Sequence, residues 1–325
     1  MVNPKERLSF KSQELIQAEP ALLYSQNKKV VYALACPPDS VHSGDIEYSR
    51  WGKMELPERL NVSLMPSIAV VKDGFFDYAP HDQSQLAKEW HLNFADEDLF
   101  VAYGSDLFAQ DEMQVAEHPI LASLKQKLTA LNIDGLTKEG GNPTPILISG
   151  VERRCFVKTD CNPDEGRPYG LYGNEFGWVA EDVVRRATVV LNPPTITNFI
   201  AITAPYGGVG KYSFDEIDYI LNTAFSGFRA AVIESGSLPS IIHSGYWGCG
   251  AYGGNRILMT WLQVVAANLA GVSQLVFHTG EPDNGDLAKS WKEIEVIFEK
   301  DSYLIKDFIE KVVELGFEWG ESDGN

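Results

Sequence analysis

Positive charge, cysteine and long apolar runs are all scarce in this 325-residue chain. Lysine and arginine number 27 against 45 aspartates and glutamates, a formal charge of −18. Neither a nucleic acid nor an anionic membrane surface attracts such a body at long range, which excludes general binders of both. The four cysteines, Cys36, Cys155, Cys161 and Cys249, have no metal-type spacing and no accompanying histidine cluster, so free thiols in a reducing compartment are expected. No apolar segment is long enough to span a bilayer, and the polar start from Met1 to Phe10 does not read as a Sec-type signal. The expected location is intracellular, cytoplasmic or nuclear, with a non-Sec route out of the cell left open. The histidines, His42, His81, His91, His118, His243 and His278, are scattered along the chain and receive no role. There is no internal repeat and no low-complexity tract.

What is present is enough apolar material, 44% of residues, to bury a large core. Short β-rich runs at Ile68 to Val71, Glu89 to Phe94, Pro145 to Ser149, Ala187 to Leu191 and Asn198 to Thr203 alternate with helical patterns. Those patterns lie at Gln110 to His118, Ile120 to Leu131 and Phe214 to Glu234. The last begins with Ser213 and Glu216 in capping-box spacing. The alternation predicts an α/β protein, a three-layer α/β/α sandwich with a mixed sheet. Residues 1–65 carry no readable motif and are expected to form an accessory segment. Residues 66–285 are expected to form the core, and 286–325 helices packed on it, before an acidic, frayed tail.

The most informative stretch is Ser244-Gly245-Tyr246-Trp247-Gly248-Cys249-Gly250-Ala251-Tyr252-Gly253-Gly254-Asn255. A short apolar strand precedes it, and an apolar helical stripe from Ile257 to Leu269, stopped at Gly271, follows. Glycines let a backbone approach a ligand closely, and the first amides of a helix are unpaired donors at its positive end. The unit is therefore either an anion cradle or a tight turn whose glycines serve backbone geometry alone. Neither the P-loop nor the dinucleotide fingerprint fits. A second stretch joins a strand end, Asn93-Phe94-Ala95-Asp96, to Gln110-Asp111-Glu112 at a helix start. Paired carboxylates there are by default partners of the helix dipole. A catalytic role requires one carboxyl whose pKa is raised by burial, so that it can donate a proton.

Together these two stretches resemble poly(ADP-ribose) glycohydrolase and related ADP-ribosyl hydrolases, built on an extended macrodomain. The family pattern is a strand ending Asp-Phe-Ala-Asn, a glycine triplet, Gln-Glu-Glu, and a diphosphate loop Asn-Trp-Gly-Cys-Gly-Ala-Phe-Gly-Gly-Asp. The loop here differs from that pattern only at Tyr246, Tyr252 and Asn255. Weaker likeness runs from Asp73-Gly74-Phe75-Phe76-Asp77 through Tyr172 to the strand ending at Thr279. The resemblance implies a glycosidase-type hydrolase that frees ADP-ribose from protein, with Glu112 as general acid and then base. It further implies that Asp111 holds ribose hydroxyls and that Asp96 lies near the catalytic ribose. Asp77, Gln110, Tyr172, Gly248, Cys249, Gly250, Ala251, Tyr252, Gly253 and Gly254 would contact the ligand. No cofactor and no metal are implied. The expected partners are ADP-ribose and ADP-ribosylated protein, met by a monomer that binds neither nucleic acid nor membrane.

The departures from that pattern bear on substrate choice. Phe100-Val101-Ala102 stands where the glycine triplet would fall, so Tyr103 or Asp106 is expected to replace or occlude the first phosphate-facing loop. Thr279 falls where an aromatic would stack on adenine, and Tyr246 replaces an asparagine. Mono-ADP-ribose, including arginine-linked, and poly(ADP-ribose) both stay open as substrates. A non-catalytic ADP-ribose reader is the alternative, as is an enzyme of a free nucleotide.

Overall fold

The computed structural model of the protein describes residues 2–62, 68–80, 86–322 and 324. Its strands in chain order are β1 (Glu6–Lys11), β2 (Asp45–Arg50), β3 (Arg59–Asn61), β4 (Ala69–Lys72), β5 (Lys88–Phe94) and β6 (Lys138–Glu139). Then come β7 (Asn142–Pro143), β8 (Ile146–Val157), β9 (Thr188–Ile202), β10 (Ser240–Ser244), β11 (Gln274–His278) and β12 (Ser302–Leu304). The helices are α1 (Ser12–Ala18), α2 (Gln26–Ala35), α3 (Gln110–Glu117), α4 (Ile120–Ala130) and α5 (Glu175–Trp178). They continue with α6 (Glu181–Ala187), α7 (Phe214–Ser235), α8 (Arg256–Ala270), α9 (Asp286–Glu295) and α10 (Ile305–Glu314).

Eight strands form one mixed sheet in the order β1-β2-β8-β9-β5-β10-β11-β4. From β9 through β4 every neighbour is parallel, whereas β1, β2 and β8 run antiparallel. Alternation along each strand divides the core in two. On β9, Ile200 and Ile202 join α7, α8 and α10 in one cluster, while Phe199 and Ala201 join α1, α3 and α4 in the other. The α/β/α sandwich with a mixed sheet follows from that parity.

The readable helix ends are present. Ser213 Oγ accepts from the Glu216 amide and Glu216 Oε2 from the Ser213 amide, closing the capping box of α7. Gly271, at φ +75°, ends α8.

Three features differ from expectation. The first fifty residues contribute β1 and β2 to the main sheet, with Leu8 and Phe10 turned toward the α1/α4 core. The runs before and after Pro193-Pro194 are one strand, β9. Its pairing with β8 shifts register between Arg153 and Cys155, so residues 191–194 bulge out of the ladder, which is where proline is tolerated. The chain after α10 does not fray at once. Trp319 stacks on Tyr212 at 4.2 Å and donates its indole N–H to Glu216, and the Gly320 amide bonds Gly253 O.

Candidate active site

A cleft of 790 Å³ opens at the carboxyl ends of the parallel strands, bounded by the residues that follow β4, β5, β9, β10 and β11. This is where an open α/β sheet gathers its ligand contacts. One wall is the loop from Gly245 to Tyr252 and the other is the start of α3.

Trp247 anchors the loop: its buried indole donates to Ile202 O at 3.1 Å. Gly248 holds φ +73°, and a Cβ there would meet Ala204 Cβ at 2.5 Å, so only glycine fits. Among the described residues no internal acceptor takes the amides of Gly248, Gly250, Ala251 and Tyr252. Gly253 and Gly254, expected to share in the cradle, instead bond Gly250 O and Gly248 O and do not line the cleft. Nor is the start of α8 available as an anion site. Asn255 Oδ1 already accepts from the amides of Ile257 and Leu258, at 3.2 and 3.1 Å. The cradle is thus four loop amides, narrower than the loop and helix terminus together. Cys249 lines it as a buried thiol pushed up to about 12 by burial, hence un-ionised.

Opposite, Asp111 and Glu112 are 7% and 5% exposed and both line the cleft. Burial raises both carboxyls above the ordinary range, and their proximity adds to the effect on Asp111. Helix α3 is preceded by Ala109, which has no capping side chain. Glu112 compensates by accepting the Ala109 N–H at 3.1 Å. Asn93 Nδ2 donates to Asp111 Oδ1 and to Gln114 Oε1, both at 2.8 Å. Gln110 lines the cleft, yet its amide is spent locally, accepting from Phe94 N and donating to Leu92 O. It rivets α3 to β5. Among the charges near the pair is Lys28 of α2, 2% exposed, donating to Tyr103 O at 2.9 Å.

The two walls meet across the mouth. Tyr252 Oη donates to Asp96 Oδ2 at 3.1 Å, joining segments 156 residues apart. Tyr172 lines the same cleft and is 40% exposed.

Other expected positions fall elsewhere. Asp77 does not line the cleft; it pairs with Lys72 at 2.9 Å and accepts the Ala79 amide, while its neighbours Phe75, Phe76 and Tyr78 form the wall. Thr279 lines the cleft without a ring, and Phe75, 64% exposed and packed on Gly280, supplies an aromatic beside it. Neither Tyr103 nor Asp106 lines the cleft. Tyr103 is buried, and its hydroxyl accepts from Leu22 N and Gln126 Nε2, so Val101 and Ala102 face the ligand space.

Three of the six histidines, scattered in sequence, gather in space. His91, His243 and His278 occupy one face of three adjacent strands, since Trp90, Ile242 and Phe277 pack into the other. His91 stacks on His243 at 4.3 Å. The His243 ring bonds His278 at 3.0 Å on one side and Glu89 at 2.8 Å on the other. His278 lines the cleft, its pKa lowered to about 4 by burial. Strand parity could have found this layer. His81 lies outside the described residues. All four cysteines are free thiols, and among the described residues no group of three or more His, Cys, Asp or Glu side chains is set to hold a metal ion. No helix among the described residues is long and apolar enough to cross a membrane.

Residues 167–285 match a family described as poly(ADP-ribose) glycohydrolase, macro domain fold. Over this stretch the chain is similar to that family. The matched stretch contains Tyr172 and the whole loop from 244 to 255; Asp96, Asp111 and Glu112 precede it. Among curated proteins, none matches the chain. Solved structures similar to it include the poly(ADP-ribose) glycohydrolase of Thermomonospora curvata, 14% identical over 90% of this chain and 86% of that one, at a TM-score of 0.42. The inhibitor ADP-HPD complex from the same organism is 15% identical over 87% and 97%, at 0.46. The Deinococcus radiodurans glycohydrolase in complex with ADP-ribose is 12% identical over 90% and 96%, at 0.43.

Proposed function

We propose that the protein is an ADP-ribosyl glycohydrolase that cleaves the glycosidic bond of ADP-ribose attached to protein by carboxylate acid/base catalysis. The observation that carries this reading is the facing of two buried carboxyls, Asp111 and Glu112, and four unengaged loop amides across one cleft. The amides suit a pyrophosphate, because neutral donors fixed in advance bind an anion without reorganising. With the pyrophosphate there, the adjoining ribose lies toward α3. Glu112, whose carboxyl burial raises above the ordinary range, gives its proton to the departing oxygen as the bond from the anomeric carbon breaks. The resulting carboxylate then takes a proton from the water that attacks that carbon. Asp111 orients the ribose hydroxyls. Asp96, fixed by the Tyr252 hydroxyl, stands at the same end and offsets positive charge developing on the sugar.

The substrates are ADP-ribosylated proteins carrying one unit, arginine-linked units included, or a polymer. On the first loop the Val101 and Tyr103 amides are bonded within its own turns, which takes two donors from further phosphates, and single units are favoured. The test is incubation with mono-ADP-ribosylated protein, poly(ADP-ribose) and free ADP-ribose 1″-phosphate, followed by quantifying released ADP-ribose. Release from either protein-linked substrate is expected. Tight ADP-ribose binding with no release from any of the three would make the chain a reader, and release from the free phosphate alone would make it an enzyme of nucleotides.

A further inference from the structure

The cleft is lined by acids at both ends, among them Asp96, Asp111, Glu112, Glu281, Asp283 and Asp286, in a chain of formal charge −18. A pyrophosphate entering it meets charge of its own sign, and the four loop amides are neutral dipoles. Among the described residues that line the cleft, Arg256 is the only lysine or arginine. It is the first residue of α8, directly after the loop. Its guanidinium lies over the Tyr246 ring, 4.8 Å from the centroid, and that ring in turn packs edge-on against Phe277 at 5.3 Å. Among the described residues Arg256 forms no ion pair. A cation positioned by a ring face and not by a carboxylate keeps its fork of N–H donors free for a planar or bidentate anion.

Resting on the glycohydrolase reading above, we infer that Arg256, propped on Tyr246, is the charged partner of the pyrophosphate and completes the site that the loop amides begin. Two other sources of phosphate contacts are reduced. On the first loop Val101 N is bonded to Asp98 O and Tyr103 N to Phe100 O, and the start of α8 is capped by Asn255. Tyr246 is one of the three loop residues that depart from the family's pattern, and its ring is what holds the guanidinium. The departure and the cation therefore form one device.

The experiment is calorimetric titration of ADP-ribose into the wild type, Arg256→Gln and Tyr246→Leu, at several NaCl concentrations. For Arg256→Gln the affinity should fall about 10- to 100-fold, the range of a charge-assisted hydrogen bond. Its salt dependence should be shallower than that of the wild type, because one ionic contact is gone. Tyr246→Leu should lose less while keeping the wild-type salt slope. An Arg256→Gln variant with wild-type affinity overturns the inference, as does a loss with an unchanged salt slope, which would mark a packing role. A wild type that fails to bind ADP-ribose overturns the functional reading itself.

Discussion

Replacing Glu112 by glutamine probes catalysis and stability in opposite directions. The substitution keeps the shape of the side chain and a carbonyl oxygen to accept the Ala109 N–H now held at 3.1 Å, so the start of α3 is preserved. It removes the transferable proton. Loss of a general acid/base costs about 10²- to 10⁴-fold in rate, or about 3 to 5 kcal/mol in the barrier. Stability should move the other way. Burial is the chief cause that holds Glu112 above its ordinary value of 4.5, so the folded state keeps its proton more tightly than the unfolded chain does. The wild type therefore loses stability as pH rises from about 4.5 through the raised value, by about 1.4 kcal/mol for each pH unit that separates folded from unfolded titration. Glutamine does not titrate and escapes that loss. It also relieves the charge repulsion on Asp111. Turnover measured beside denaturant unfolding at pH 4.5 and pH 8 should show an enzyme that is slower, binds ADP-ribose normally, and gains stability over wild type only at the higher pH. Full turnover would remove Glu112 from the chemistry, and an equal stability difference at both pH values would refute its buried ionisation.

Other substitutions test the remaining parts. Asp111→Ala should lower both ADP-ribose affinity and turnover, because it also strips Asn93 of one acceptor; unchanged titration and rate would exclude Asp111 from the site. Gly248→Ala should abolish ADP-ribose binding in calorimetry, since a Cβ would lie 2.5 Å from Ala204 Cβ and 2.9 Å from Met259 Cε, while the sheet remains folded by circular dichroism. Lys28→Met should move the alkaline limb of kcat/KM upward by about one pH unit. The sign follows from the ammonium favouring the ionised form of Glu112; without it the acid keeps its proton to higher pH. A pH profile that superimposes on the wild type would leave Lys28 a purely structural residue.

Much of this architecture can be read from residues that act locally. Ser213 and Glu216 announce α7, Gly271 ends α8, and the glycines after Ser244 need a backbone that only a close turn supplies. What escapes such reading is set by distant neighbours. Pro193 and Pro194 look like breakers until β8 provides a register shift beside which they bulge. β1 has the alternation of an edge strand, but its outward residues are Arg7, Ser9 and Lys11 and its partner β2 lies nearly forty residues on. The histidine layer depends on His91 and His243 being register partners of parallel strands. Arg256 carries no signal in the sequence, because a lone arginine after a glycine loop has no meaning until the cleft proves to be otherwise lined with acids.

The missing glycine triplet shows how a lost local device can be replaced from behind. Phe100 takes φ +59° and buries its ring, and Tyr103 buries beside it. Such a turn in non-glycine residues is strained and must be held by its surroundings. The holding comes from the chain just before and within α2. Tyr24 N and Ser25 N bond Gly104 O, Leu22 N bonds the Tyr103 hydroxyl, and Lys28 bonds Tyr103 O. Gly104 itself cannot be enlarged, since a Cβ would come within 2.4 Å of Leu22 O. The same lysine that fixes this turn sends its charge toward Glu112. The geometry of the turn at 100–104 and the ionisation of Glu112 therefore depend on one buried side chain, so a change that loosens residues 22–28 should alter the pH dependence of the reaction along with the shape of the cleft.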